Sequence, residues 1–296
     1  MSGQQCEIAW FSALCDDDYE FLGVSDPYLQ SSWEHCRNIV MRAEEGGFDN
    51  ILLPSGYQLG LDTTAFAAAV ATQVKRMKLL WATRMGEDWP PQLARRIATL
   101  DRILGPNAAG TGGRLNVNII SSDMPGEKIE SGPRYRRATE IMKIVRTLLN
   151  GEHLDFQGEF YNLQLDPARI TTLSGTCPAF YFGGLSHEAR ECAAEGCDVY
   201  LMWPDTMDKV RETITDMKQR AAAKGRALKF GYRVHVVVRE TEEEARAYAD
   251  RLLSKLDEEA GKAIREKSLD AKNFGVQRQQ ELRGAAGGDG FVEDNL

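Results

Sequence analysis

The chain has 296 residues and a formal net charge of −8, from 36 Lys and Arg against 44 Asp and Glu. This acidic balance argues against the basic surface that binding to nucleic acid or an anionic membrane requires, and no apolar run approaches the ~18 residues of a membrane span. The six cysteines have no zinc or C-x-x-C spacing, and the first residues lack a signal peptide. These features predict a reduced protein of the cytoplasm.

The first half of the chain alternates short apolar strands with amphipathic helices. Strands are predicted at 8–14, 51–53, 78–83 and 115–120, and helices at 31–45, 65–74, 90–104 and 134–150. Helix 65–74 is apolar on every side, which predicts contact with another subunit and therefore a homo-oligomer, a dimer or a tetramer.

The second half resumes this alternation after an insertion at 152–178 that includes a predicted hairpin. Strands are predicted at 179–182, 198–202 and 230–238, and each is followed by a helix, the last at 242–267. The tail from 268 to 296 is polar and becomes rich in glycine.

Seven strand–helix units predict an α/β fold with a parallel sheet and right-handed crossovers. Units of ~35 residues favour a (β/α)8 TIM barrel, here as a single domain over residues 1–296. The sequence shows no eighth strand–helix unit. We therefore expect a barrel that is open between its first and seventh strands, in a chain that is part of a longer one.

Strand 230–238 carries an unusual pair of side chains. Alternation places Arg233 and His235 on one face, and both faces of a parallel strand are normally buried. One interpretation is a structural pair that a nearby carboxylate satisfies. The other is an anion site, with Arg233 as a fixed positive charge and His235 as a titratable neighbour.

Polar residues also occupy the loops where the active site of such a barrel lies, at the carboxyl ends of the strands. They are Cys15, Tyr57, Arg84, Asn118, Ser121, Ser122, Trp203, Arg233 and His235. The amides of Asn116 and Asn118 share a strand face, where they could bind a polar heterocycle or be satisfied structurally.

A Gly183-Gly184-Leu185-Ser186 turn joins a predicted strand to a helix. Glycines allow close backbone approach, Ser186 can cap the helix, and a helix N-terminus attracts phosphate. The pattern alone is weak, because glycines also simply make tight turns.

Three segments carry a resemblance to a known family: 181–186 (YFGGLS), 198–203 (DVYLMW) and 230–240 (FGYRVHVVVRE). Residues 118–123 and the pair Arg134-Tyr135 also fit. By these motifs, in this order, nearly the whole chain resembles the bacterial-luciferase-like flavin monooxygenases, specifically the alkanesulfonate monooxygenase branch.

The resemblance implies an enzyme that binds reduced FMN supplied by a separate NAD(P)H-dependent FMN reductase. With O2, such an enzyme oxidises an organosulfonate to an aldehyde and releases sulfite, without a metal. The implied catalytic residues beside the substrate are Arg233, His235 and Trp203. The implied FMN-binding residues are Asn118, Ser121, Tyr135, Gly183, Gly184 and Ser186, with Tyr135 and Ser186 at the phosphate.

Two positions depart from that family pattern. Cys15 stands where the sulfonate enzymes have a histidine, and Tyr57 stands where they have a cysteine. Together with Arg84, these residues are expected to line the substrate pocket. The substrate is therefore expected to differ from a simple alkanesulfonate, for example as a sulfosugar. Two other functions stay open: a deazaflavin-dependent hydride-transfer enzyme on the same fold, and a flavin-binding barrel without turnover.

Overall fold

The computed structural model describes residues 6–57, 60–122, 124–127 and 129–255, together with residues 259, 278 and 281. Their contacts divide the chain into two compact units. The first is formed by residues 1–17 and 31–182, and the second by residues 18–30 and 183–296.

The first unit is a parallel sheet with a helix after each of its first four strands. The strands are β1 (Ala9–Phe11), β2 (Asn50–Leu53), β3 (Lys78–Arg84), β4 (Leu115–Ile120) and β7 (Phe180–Phe182), hydrogen-bonded in that order. The helices are α1 (Trp33–Glu45), α2 (Thr63–Ala71), α3 (Pro90–Leu104) and α4 (Ser131–Leu149). Between α4 and β7, strands β5 (Leu154–Gln157) and β6 (Asn162–Leu165) form an antiparallel hairpin.

The second unit continues the alternation of strand and helix. It contains α5 (His187–Gly196), β8 (Val199–Met202), α6 (Met207–Ala223), β9 (Lys229–Tyr232) and α7 (Glu242–Leu253), and β8 pairs in parallel with β9. No helix in the described part of the chain is long and apolar enough to cross a membrane.

Five of the described helices, α1, α2, α5, α6 and α7, begin at residues whose side chains accept from free backbone N–H groups. Ser32 accepts from the N–H of His35 at the start of α1, and Asp62 accepts from the N–H of Ala65 at the start of α2. Thr241 and Glu244 form a reciprocal capping box at the start of α7. Such local signals allow helix starts to be predicted to within a few residues, although α2 was predicted from residue 65 and begins at Thr63 after its Asp62 cap.

A buried arginine fixes the amino end of β4. The guanidinium of Arg114 is 4% exposed and donates to the carbonyl oxygens of Met77 (2.9 Å), Val74 (3.0 Å), Pro106 (3.1 Å) and Leu104. It thereby satisfies backbone acceptors at the ends of several elements, including the C-terminus of α3. These bonds hold the amino end of β4, the strand whose carboxyl end carries polar candidate residues.

The register of β3 and β4 puts two candidate site residues on one face of the sheet. Asn118 lies opposite Ala82, and Ile120 lies opposite Arg84. Because opposite residues in a parallel pair point to the same side, Asn118 and Arg84 share a face. Arg84 was predicted to lie in the loop after this strand, but it is the last residue of β3.

The predicted strand 230–238 is wrong beyond residue 232. β9 ends at Tyr232, and within the described residues it pairs with β8 alone. Val234, Val236 and Val238 are 39%, 60% and 76% exposed. Residues 233–238 have high β propensity. Such a segment forms a strand only where a neighbouring strand hydrogen-bonds to its backbone and other residues cover its side chains.

Other expectations fall partly outside the described residues. α7 ends at Leu253 with Ser254 as its C-cap, so the predicted continuous helix 242–267 is wrong at this point, and of the tail 268–296 only residues 278 and 281 are described. Apart from residue 259, the segment 256–267 lies outside the described residues, and the structure of the tail stays a prediction.

Two isoleucines of α3 test the core of the first unit. Ile97 is fully buried, whereas Ile103 is 43% exposed on the same helix. Ile97→Ala should lower the free energy of unfolding by about 2–5 kcal/mol, because it leaves a cavity. Ile103→Ala should change it by less than about 1 kcal/mol. Denaturant unfolding of the two variants measures the difference, and equal losses would contradict this placement of the core.

Candidate active site

In the first unit, the carboxyl end of β3 presents a buried cation. Arg84 is 4% exposed, its Nε donates to Ser122 Oγ at 3.2 Å, and a terminal nitrogen donates to Glu87 Oε1 at 2.8 Å. Asn116 and Asn118 are half-buried, and neither side chain has a hydrogen bond to any residue that the structure describes. Both interpretations of the two amides, ligand binding and structural satisfaction, stay predictions.

The thiol of Cys15 has a pKa well above its usual range. Burial raises its pKa to about 12, and the negative charges of Asp17 and Asp16 act in the same direction, against a smaller opposing effect of Arg84. A thiol, and not a thiolate, therefore stands at this strand end. This is compatible with the predicted pocket-lining role, in which Cys15 contributes a small apolar surface.

The remaining candidates of the first unit lie on different parts of it. Ser121 is buried and donates to the carbonyl oxygen of Arg134 at 3.4 Å. Tyr135 packs edge-on against Phe182, with ring centroids 6.1 Å apart. Tyr57 is 69% exposed. The predicted roles of Ser121 and Tyr135 in flavin binding, and of Tyr57 in the substrate pocket, stay predictions.

In the second unit, the glycine turn before α5 is shaped by close backbone contacts. A Cβ on Gly183 would lie 2.4 Å from the carbonyl oxygen of Leu201, so a side chain there would collide with β8. Ser186 is the N-cap of α5 and accepts from the N–H of Ala189 at 3.1 Å. The Ser186 cap predicted from the sequence is therefore present. The close approach of Leu201 explains why a glycine occupies position 183.

Sequence reasoning missed Tyr200, which holds this turn in place. Its hydroxyl donates to the carbonyl oxygen of Gly184 at 2.5 Å. Burial raises the pKa of Tyr200 to about 12, so the hydroxyl keeps its proton as a donor. The signal was present in the sequence, because a tyrosine in a buried strand needs a hydrogen-bond partner for its hydroxyl.

The second unit also brings together the three predicted catalytic residues. The backbone N–H of Arg233 donates to the carbonyl oxygen of Met202 at 2.9 Å, and its guanidinium lies 6.0 Å from the centre of the Trp203 ring. Arg233 and His235 are exposed, so their predicted place on a buried strand face is wrong. The reason is that β9 ends before them.

The imidazole of His235 is held in its neutral form. Its pKa is lowered, first because surrounding protein limits its hydration, although the side chain is accessible, and second because Arg233 is positively charged. At pH 7 the ring therefore offers one donor and one acceptor nitrogen beside a permanent cation.

No cluster of three or more His, Cys, Asp or Glu side chains suited to a metal ion occurs among the residues that the structure describes.

Comparison with known proteins decides the family. The model of the luciferase-like monooxygenase family matches residues 21–295. The chain belongs to the luciferase-like monooxygenases. The resemblance seen in the three sequence segments is therefore confirmed, and the protein is a flavin-dependent monooxygenase.

Two relatives and one solved structure are similar over most of the chain. A sulfoquinovose monooxygenase of Novosphingobium aromaticivorans is 90% identical over 296 residues, which are all of this chain and 82% of the relative. A sulfoquinovose monooxygenase of Agrobacterium fabrum is 48% identical over 98% of this chain and 74% of its own length. The crystal structure of a long-chain alkane monooxygenase is 18% identical, with a TM-score of 0.70 over 97% of this chain and 86% of that one. The predicted TIM-barrel type of α/β fold is confirmed.

Titration of His235 tests the electrostatics of this luciferase-like monooxygenase. We expect its midpoint, measured by NMR, to lie below the ordinary value of about 6.5. Arg233→Gln should raise the midpoint, because it removes a positive charge that opposes protonation.

The control is Arg239→Gln, whose guanidinium instead lies 3.6 Å from the centre of the Tyr248 ring. It should leave the midpoint unchanged. A midpoint that does not respond to Arg233→Gln would show that the two side chains are not coupled.

Proposed function

We propose that this monooxygenase uses reduced FMN and O2 to oxidise the sulfonate-bearing carbon of a sugar sulfonate such as sulfoquinovose. The observation that carries the proposal is the 90% identity, over the whole chain, to a relative named sulfoquinovose monooxygenase. The contact of Arg233 with Trp203 beside a neutral His235 supports it from the structure.

The proposed reaction balances with one equivalent of each reactant. A primary sulfonate R–CH2–SO3⁻, O2 and FMNH2 give the aldehyde R–CHO, HSO3⁻, oxidised FMN and water. The C–S bond breaks, one oxygen atom of O2 becomes the aldehyde oxygen, and the other becomes water. Bound reduced FMN supplies the two electrons, while the protein supplies binding, orientation and protection from side reactions.

Arg233 is the proposed partner of the sulfonate. A sulfonate is a permanent anion, and a guanidinium is a permanent cation whose planar fork matches its oxygens. The guanidinium lies 6.0 Å from the centre of the Trp203 ring, within the range of a cation–π contact, which is proposed to favour one orientation of the charge. Arg233 is thus proposed to bind the anion in one orientation and to stabilise the negative charge that leaves with the sulfur.

His235 is proposed to move the proton that leaves the oxidised carbon. Aldehyde formation removes one C–H proton, and a neutral imidazole can accept it. Limited hydration, and in addition the positive charge of Arg233, lower the pKa of the ring and keep it neutral in the resting state. The same charge favours rapid return of the proton to solvent.

The turn before α5 is proposed to bind the FMN phosphate. The first-turn N–H groups of α5 are donors of the kind that phosphate prefers. For Asn118 of the first unit, which is half-buried, contact with the flavin stays a prediction from the sequence. A separate NAD(P)H-dependent FMN reductase is the proposed source of reduced flavin, and the apolar helix α2 is proposed to form a homo-oligomer contact.

The test of this function is sulfite release by the longest natural form of the protein, with an FMN reductase and NAD(P)H. We expect release from sulfoquinovose at least about tenfold faster, in kcat/KM, than from a simple alkanesulfonate, because sugar hydroxyls add specific contacts. A reduced deazaflavin should not replace reduced FMN. Absence of sulfite with every sulfonate would contradict the proposal.

Arg233→Ala should lower kcat/KM for sulfite release by on the order of 10²-fold, the usual result of removing a charge contact that acts in the transition state. Arg239→Ala is the matched control on the same segment and should change kcat/KM by less than about threefold. Equal activities of the Arg233 and Arg239 variants would remove Arg233 from the catalytic role.

A further inference from the structure

We propose that an ion pair between Asp205 and Arg278 positions Trp203 relative to Arg233. Asp205 and Arg278 would then affect the reaction indirectly, through the loop after β8. The inference rests on the proposed function for its catalytic consequence, although the positioning itself can be measured without turnover. Neither Asp205 nor Arg278 was singled out by sequence reasoning.

The ion pair has the geometry of a two-point clamp. Arg278 Nε donates to Asp205 Oδ2 at 3.0 Å, and a terminal nitrogen of Arg278 donates to Asp205 Oδ1 at 2.9 Å. The Arg278 side chain is 28% exposed and the Asp205 side chain is 17% exposed, and the two residues lie 73 positions apart in the chain. Bidentate arginine–carboxylate pairs of this kind restrict orientation as well as distance.

Other bonds connect Asp205 to the structure around it. The backbone N–H of Asp205 donates to the Tyr232 hydroxyl at 3.3 Å, and that hydroxyl donates to the Asp205 carbonyl oxygen at 3.5 Å. The N–H of Thr206, the N-cap of α6, donates to Asp205 Oδ1 at 2.8 Å. Asp205 is therefore held by β9, by the start of α6 and by Arg278 together.

The carboxylate of Asp205 stays charged in these surroundings. Burial alone would raise its pKa, but the hydrogen bonds from Arg278 and Thr206 more than offset that effect and lower the pKa below its usual range. At neutral pH the clamp is therefore a fully charged pair.

The clamp acts on a short segment. Trp203 follows the last residue of β8 and is separated from Asp205 by Pro204 alone, whose ring restricts the backbone. Trp203 in turn lies against the guanidinium of Arg233, whose own backbone N–H is fixed to Met202. Fixing Asp205 thus limits where Trp203 can lie, and Trp203 limits where the charge of Arg233 can lie.

The titration of His235 measures this positioning without substrate or flavin. If the loop loosens, the charge of Arg233 is on average farther from His235, and the midpoint of His235 should rise by about 0.3 pH unit. In Asp205→Asn, the direction in which the His235 midpoint changes distinguishes loss of charge from loss of positioning. Loss of its negative charge alone would lower the midpoint, whereas loss of positioning raises it.

Arg278→Lys separates charge from geometry. Lysine keeps the positive charge but lacks the planar guanidinium. If the ion pair positions the loop, the midpoint of His235 should rise in this variant. If only charge matters, the midpoint should not change. The matched control is Asp198→Asn, which breaks the Arg226–Asp198 pair (3.2 Å, 27% and 33% exposed) at the opposite end of β8 and should leave the midpoint unchanged.

We expect Asp205→Asn and Arg278→Lys both to raise the His235 midpoint and to lower kcat/KM for sulfite release about tenfold. A lowered or unchanged midpoint in Asp205→Asn would overturn the proposal, and so would an unchanged midpoint in Arg278→Lys. If Asp205→Asn fails to fold, Arg278→Lys decides alone. Absence of sulfite from the unaltered protein would refute the proposed function, but not the clamp, which the midpoints test.

Discussion

The hydrogen bond from Tyr200 to the carbonyl oxygen of Gly184 fixes the two sides of the candidate site in the second unit relative to each other. It joins β8 to the turn that begins α5, and the collision that a Cβ on Gly183 would make with Leu201 shows how closely these segments approach. The next residue of β8, Met202, accepts the backbone N–H of Arg233. One short strand therefore sets the position of the glycine turn, of Trp203 and of Arg233.

The candidate residues of each unit have defined charge states at neutral pH. Arg233 is permanently positive, and its charge together with limited hydration keeps His235 neutral at pH 7. In the first unit, burial and two aspartates keep Cys15 protonated. In the second unit, a permanent cation therefore lies beside a neutral imidazole, with the proposed roles of binding an anion and accepting a proton. Such a set suits a reaction in which a cofactor performs the redox chemistry and the protein binds an anionic substrate.

Much of the fold could be predicted because its signals are local. Caps such as Ser32 and Ser186 and the alternation in β4 appear directly in the sequence. The extent of β9 could not be predicted, because the exposure of Val236 depends on whether another strand lies beside it. Tyr200 had a readable signal, the need of its hydroxyl for a partner. Asp205 and Arg278 had none, since a pair 73 residues apart is defined only by the folded chain.

The most direct test of the account is the recognition of the sulfonate group itself. Equilibrium dialysis without oxygen, in the presence of reduced FMN, can compare sulfoquinovose with 6-deoxyglucose, which lacks the sulfonate. The account predicts that the sulfonate sugar binds at least about tenfold more tightly, as expected for a charge-assisted contact, and that Arg233→Ala removes most of that preference. Equal affinities for the two sugars, or a preference that survives in Arg233→Ala, would contradict it.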